Sequence, residues 1–133
     1  MTFLSCTNFS IDTPDTKGNI RGFKSIIDVP KTDDVKDIYF FADELGFEPL
    51  YQFSFSCDIS TINRIINEHK LKKIQKDPND IPIGVGQKFK WWDCMFVDTL
   101  NLHWSRFDTT ANHVIDLWYD SKNSRGYYLY VQL

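Results

Sequence analysis

The sequence predicts an α+β fold in a single domain: a mainly antiparallel sheet of about five or six strands with two helices packed on one face. Three observations support this. Residues 50–57 alternate between apolar and polar, residues 59–70 carry an apolar stripe at helical spacing, and the last third is a succession of aromatic, β-branched segments separated by turns. The predicted order is β-α-β-α-β-β-β-β.

The first elements follow an N-terminal arm. Residues 1–18 end in a turn-rich stretch, so we assign them to the arm and residues 19–133 to the domain. Residues 20–29 mix branched and aromatic side chains and end at Pro30, which predicts the first strand.

The next segment has two readings. Thr32-Asp33-Asp34 supplies N-cap chemistry, and the apolar residues that follow fall at helical spacing, which predicts a helix over 34–45. The competing prediction is a strand through Ile38–Phe41.

The middle of the chain is clearer. Alternation predicts a half-buried strand over 50–57. Asp58 or Ser60 then caps a helix that ends near Lys70. The stretch Gln75 to Gly86 is rich in proline and glycine and predicts an irregular loop, which is a candidate site because long loops are uncommon unless they are functional.

The last third predicts only strands. They are expected at 88–97, 99–107, 113–120 and 127–133, with a hairpin turn over 121–126.

Aromatic residues are in excess, at 16% of the chain, and every Trp falls within these C-terminal strands. Neighbours on a strand point to opposite faces, so neither Trp91 and Trp92 nor Tyr127 and Tyr128 are expected to share one core. One interpretation is cross-strand aromatic pairing that stabilises the sheet. The other is a binding face. If this face binds a small molecule or a carbohydrate, the predicted ligand-binding residues are Trp92, Trp104 and Trp118.

Charge is unevenly distributed. The net charge is −3, but residues 28–48 carry seven acids against two lysines, whereas residues 64–76 carry a net charge of +4. A chain without a dominant basic field is not expected to bind nucleic acid. Apolar runs are only a few residues long, so no transmembrane segment is predicted.

These features favour a small non-enzymatic protein-binding module, with an immunity-type or antitoxin-type inhibitor of a bacterial toxin as the best fit. Clustered acids attract a cationic protein and speed its encounter, so the expected partner is another protein, basic in character. The loop at Asp80–Gly86 is the second choice of surface. The predicted partner-binding residues are Asp33, Asp34, Asp37, Tyr39, Asp43, Glu44 and Glu48.

No catalytic residue, metal or cofactor is predicted. A cysteine hydrolase centred on Cys94 and His103, with Asp108 downstream, is a further alternative, since a thiol nucleophile needs a histidine base. The histidines occur singly, without ligand spacing, and a metal site would need His103, His113 and Asp116 to meet in the fold.

Three cysteines, an odd number, predict reduced thiols and a cytoplasmic protein. The alternative is a periplasmic or lipid-anchored protein, acylated at Cys6, if a leader precedes the sequence.

Overall fold

A computed structural model describes residues 11–44 and 49–133 of the chain. The strands are β1 (Lys36–Asp43), β2 (Leu50–Ser56), β3 (Lys72–Lys73), β4 (His103–Asp108), β5 (His113–Asp120) and β6 (Arg125–Gln132). The helices are α1 (Lys17–Gly22), which continues as a π-helical turn (Phe23–Ile27), α2 (Ile59–His69) and α3 (Cys94–Thr99). All six strands form one antiparallel sheet in the order β1-β2-β6-β5-β4-β3, which confirms the α+β prediction.

One face of the sheet, here called the helical face, is covered by α1 with its π-helical turn and by α2. Phe53 and Phe55 of β2 are fully buried there, in one cluster with Phe23 from the turn and with Ile62 and Ile65 from α2. Phe23 meets Phe55 edge to face at 5.2 Å. The prediction of two helices packed on one face is therefore confirmed.

The opposite face is covered by residues 85–100, here called the second layer, which includes α3. Trp92 is its centre and is 0% exposed. Its ring meets Trp118 and Tyr127 of the sheet edge to face, at 6.0 and 5.4 Å, and its indole N–H donates to the Val85 carbonyl at 2.7 Å. The sheet is therefore buried on both sides.

The predicted first strand over 20–29 is wrong, because most of this segment is helical. The Thr16 hydroxyl caps α1 by accepting the Asn19 N–H at 3.1 Å. Phe23 and Ile27, four residues apart, are both fully buried, which is the spacing of a helix face.

The predicted helix over 34–45 is also wrong, and the competing strand through Ile38–Phe41 is confirmed. Ile38 and Phe40 belong to the cluster on the helical face, whereas Tyr39 and Phe41 pack against the second layer. A strand buried on both faces is apolar at consecutive positions, so no two-residue period marks it.

The predicted strand over 88–97 is wrong as well. It is an irregular segment that ends in α3, which Asp93 caps by accepting the Met95 and Phe96 N–H groups, both at 3.1 Å. Because the segment is not a strand, Trp91 and Trp92 share one buried cluster, against expectation. Tyr127 and Tyr128 do lie on opposite faces of β6, as predicted.

The remaining strands over 50–57, 99–107, 113–120 and 127–133, and the helix after Asp58, correspond to observed elements within a few residues. The short strand β3 and helix α3 were not predicted. The observed order is therefore α-β-β-α-β-α-β-β-β, which corrects the predicted one.

Gln52 joins the sheet to the second layer, which makes it a test of this architecture. Its buried side chain donates to the Gln87 carbonyl at 2.7 Å and accepts the Gln87 N–H at 3.0 Å. We expect Gln52→Ala to lower the free energy of unfolding by about 2–3 kcal/mol, because two backbone groups lose their partner. Urea denaturation measures the change. Gln87→Ala is the control: its side chain is exposed and its backbone groups stay, so a change within about 0.5 kcal/mol is expected. Equal losses in the two variants would contradict this account.

Candidate functional site

A groove of about 430 Å³ opens where β1 and β6 meet the second layer. It is here called the acidic groove. Charged and aromatic side chains line it, supplied by the arm, both strands and the second layer. Its lining residues are Asp12, Asp37, Tyr39, Lys90, Trp91, Asp93, Phe96, Arg125 and Tyr127.

Aromatic rings form one wall of the acidic groove. Tyr39 stacks on Trp91 with ring centroids 5.6 Å apart and planes 12° from parallel. Trp91 in turn stacks on Phe89 at 4.7 Å, and its indole N–H donates to the Ile11 carbonyl at 2.9 Å. Tyr39 therefore belongs to a fixed column of rings that connects β1 to the second layer.

Arg125 forms the floor of the acidic groove. Its guanidinium donates to the hydroxyls of Ser54 and Ser56, at 2.8 and 3.1 Å, and to the Asp37 carbonyl at 2.9 Å. It also lies over the Tyr39 ring, 5.5 Å from the centroid. Burial lowers the pKa of Arg125, and neighbouring groups that include Asp37 oppose that change. Arg125 thus ties together the strand ends that present Asp37 and Tyr39.

The lining of the acidic groove contains three carboxylates, Asp12, Asp37 and Asp93, and two cations, Lys90 and Arg125. Lys90 pairs with Asp12 at 4.0 Å, but both side chains are exposed, so the pair adds little stability. Asp37 is exposed and holds a left-handed backbone conformation, with φ 51°. The lining as a whole is therefore acidic by one charge, and its three carboxylates belong to exposed residues.

The predicted partner-binding residues do not form one patch. Asp37 and Tyr39 line the acidic groove. Asp33 is exposed in the turn before β1. Asp43 and Glu44 lie at the far end of β1, about 20 Å along the strand from Asp37. Glu48 lies outside the described residues, as does Cys6.

Asp34 is engaged within the chain. Its carboxylate accepts the Asp58 N–H at 2.9 Å and the Thr61 hydroxyl at 2.7 Å, both at the start of α2. The Thr32 hydroxyl donates to its other oxygen. Burial raises the pKa of Asp34, but these hydrogen bonds outweigh that effect and lower the pKa to about 2. The capping acid predicted for a helix at 34–45 therefore stabilises the start of α2 instead.

The three tryptophans of the alternative ligand face, Trp92, Trp104 and Trp118, do not lie on one face of the sheet. Trp92 and Trp118 are buried beneath the second layer. Trp104 lies on the opposite, helical face, where the Lys73 ammonium is 5.7 Å from its ring centroid. The three rings therefore share no open surface.

Cys94 and His103 do not meet as the cysteine hydrolase alternative requires. The Cys94 thiol donates to the Gly86 carbonyl at 3.4 Å, whereas His103 bonds to Asp116 at 2.8 Å and stacks on Trp118. Asp108 pairs with Arg106 at 3.1 Å. A second thiol, Cys57, is buried, and burial raises its pKa to about 12.

Of the three residues considered for a metal site, only two lie next to each other in the fold. His103 and Asp116 form a hydrogen-bonded pair. His113 lies on the helical face, where it stacks on Tyr130 at 4.9 Å. Within residues 11–44 and 49–133 no group of three potential metal ligands is present.

The loop at Asp80–Gly86 presents apolar side chains to solvent: Ile81 is 83% exposed and Ile83 is 88% exposed. The Asp98 carboxylate holds the loop by accepting the N–H groups of Ile83 and Gly84, at 2.9 and 3.0 Å. The second-choice surface is thus a loop anchored on α3.

Sequence reasoning missed most of the acidic groove. Asp12 was assigned to the arm, Arg125 to a hairpin turn, and Asp93 to a strand. Asp93 carried a usable signal, because an aspartate before Cys94–Thr99 fits the N-cap pattern of a helix. No local sequence pattern marks Arg125, since the serine hydroxyls to which its guanidinium donates lie about 70 residues away in the chain.

Comparison of the chain with protein-family models, with curated proteins and with solved structures finds no match in any of the three. In the part of the chain that the structure describes, no helix has the length and apolar character needed to cross a membrane.

The hydrogen bonds to Asp34 predict a pH-dependent stability. A carboxyl group whose pKa falls from 3.8 to about 2 on folding stabilises the protein above pH 3.8, and this contribution disappears as the pH falls through 2. Solvent screens the half-buried carboxylate, so we expect it to contribute about 1 kcal/mol to the free energy of unfolding at neutral pH. Urea denaturation between pH 2 and pH 7 should show Asp34→Asn less stable than the original chain at pH 7 and equal to it near pH 2. Asp33→Asn, at the exposed neighbour, is the control and should follow the original chain. A constant difference across the range would contradict the prediction.

Proposed function

We propose that the protein is a non-enzymatic protein-binding module of the immunity or antitoxin type, which binds a basic protein at the acidic groove. The observation that carries the proposal is the presence of Asp37 and Tyr39 in one groove with Asp12, Asp93 and Trp91. Acids around a half-buried tyrosine on a fixed support are features of surfaces that bind cationic proteins.

Charge supports this partner class. The three carboxylates lie on an exposed rim, where their field extends into solvent for roughly one Debye length, about 8 Å at physiological salt. Of the two cations, Lys90 is exposed beside Asp12, whereas the Arg125 guanidinium donates to neutral oxygens of Ser54, Ser56 and Asp37. Three carboxylates against two cations leave the groove with a net negative charge, which favours a basic partner.

The aromatic wall gives such a partner a fixed apolar surface beside the acids. The faces of the Trp91 ring are stacked on Tyr39 and Phe89, and the Tyr39 ring is stacked on Trp91 and contacted by the Arg125 guanidinium. A partner therefore contacts the remaining exposed part of Tyr39 rather than a free ring face. Because Tyr39 and Trp91 are stacked and Trp91 is bonded to Ile11, the wall is rigid before the partner arrives.

The test is affinity capture from the native host at low salt, followed by binding measurements with the captured protein. Asp12→Asn with Asp37→Asn removes two rim charges, and asparagine tolerates the left-handed backbone at position 37. We expect the association constant to fall about tenfold at low salt, with a smaller loss at high salt. Growth arrest by the captured protein, relieved when the chain is co-expressed, would support the immunity-type activity.

The matched control is Asp28→Asn with Glu68→Gln. Both residues are exposed, they lie on the helical side, and position 28 has the same left-handed conformation as position 37. We expect this pair of changes to leave binding within about twofold, since it removes the same charge elsewhere. Equal losses from the two double variants, or no protein captured at low salt, would contradict the proposal.

A further inference from the structure

The first half of the β1 edge is capped by the chain itself. The Asp15 N–H donates to the Ile38 carbonyl at 2.9 Å, and the Asn19 amide donates to the same oxygen at 2.8 Å. The Asp15 carboxylate accepts the N–H groups of Asp37 and Ile38, at 3.1 and 2.8 Å. This is the kind of cover that natural proteins place over a sheet edge.

The second half of the same edge has no partner strand among residues 11–44 and 49–133. β1 is the outermost strand, and Ile38 directs its N–H and C=O away from β2. Backbone groups alternate in direction along an antiparallel strand, so Phe40 and Ala42 direct theirs to the same side. The close stacking of Phe40 on Phe53, with centroids 4.3 Å apart, fits a pair without mutual backbone hydrogen bonds. Within the described residues, no chain segment pairs with this edge at Phe40 or Ala42.

A groove of about 520 Å³ runs beside this open edge, here called the edge groove. The edge residues Phe40–Ala42 line one side, and residues 16–19, at the start of α1, line the other with Ile11. Phe40 and Phe41 point to opposite faces of the sheet, so apolar rings flank the opening above and below. The groove therefore combines unpaired backbone donors and acceptors with apolar walls.

We propose that the β1 edge binds an extended segment of a partner polypeptide, which adds a seventh strand to the sheet. Four outward backbone groups at a two-residue spacing match an extended chain and no other common ligand. The start of α1 lines the groove opposite the edge, so a bound strand would lie between the two. Glu44 is exposed just past the open stretch, which favours a basic residue at that end of the segment.

This proposal does not depend on the acidic groove, because the expected contacts are made by the backbone groups of β1 and not by the carboxylates of that groove. Its probe is a phage-displayed library of random twelve-residue peptides, selected on the full chain. We expect enriched peptides that are apolar at alternating positions and basic at one end. In hydrogen exchange, a bound peptide is expected to protect the Phe40 and Ala42 amides, which the free chain leaves open.

Ala42→Pro tests the mode of binding, because it removes an outward donor without removing a hydrogen bond to β2. We expect at least a tenfold loss of peptide affinity, with Ala42→Val, which keeps the donor, within about threefold. Gly18→Leu is a second variant. Gly18 lines the groove, and a β-carbon there would have only the Thr16 hydroxyl near it, at 3.9 Å, so we expect leucine to be accommodated, to obstruct the groove and to leave the edge intact.

Three outcomes would overturn the proposal. One is that no peptide is enriched. Another is that enriched peptides bind equally to the Ala42→Pro and Gly18→Leu variants while both remain folded by circular dichroism. The last is a dimer of the free chain, seen in sedimentation, that the Ala42→Pro substitution dissociates. That result would mean that the β1 edge pairs with a second copy of the chain. Asp12→Asn with Asp37→Asn should leave peptide affinity unchanged, so failure here is distinct from failure at the acidic groove.

Discussion

Burial of the sheet on both faces is the constraint on which the rest of the structure depends, and Trp92 is its centre. The second layer approaches closely enough that Gly86 has no room for a side chain: a β-carbon there would lie 2.9 Å from both the Gln52 amide nitrogen and the Trp92 indole nitrogen. Gly86 also holds φ +75°, which glycine adopts without strain. A side chain at this position would therefore separate the layer from the sheet.

Two-sided burial also limits which surfaces of the sheet are open. The flat faces of β2, β5 and β6 are occupied by the helices and by the second layer. The two surfaces of the sheet proposed here for partners are its end, at the acidic groove, and the stretch of the β1 edge that has no partner strand among the described residues. Both lie on β1, the strand whose own start is held by Asp15 and Arg125.

The same constraint explains how much the sequence could predict. β2 is buried on both faces, but Gln52 and Ser54 alternate with its apolar residues, so its two-residue period is visible in the sequence. The apolar stripe identifies α2, and the polar turn between two aromatic segments identifies the final hairpin. β1 and residues 88–97 are apolar on several sides, so their period is hidden and the tertiary contacts decided their structure. Asp37 and Tyr39 were predictable as candidates from charge and exposure. Their neighbours in the groove were not, because Arg125 and Asp93 reach it only through the folded topology.

The aromatic excess divides between structure and binding in the same way. Trp91, Trp92 and Trp118 fill the space between sheet and second layer, which accounts for most of the tryptophan content as core. Tyr39 differs, since one of its faces stacks on Trp91 while the residue lines the acidic groove. Removal of the Tyr39 ring would therefore alter stability together with the proposed binding. Neutralising Asp37 separates the two, because its side chain is exposed and its backbone, which makes the contacts to Asp15 and Arg125, stays in place.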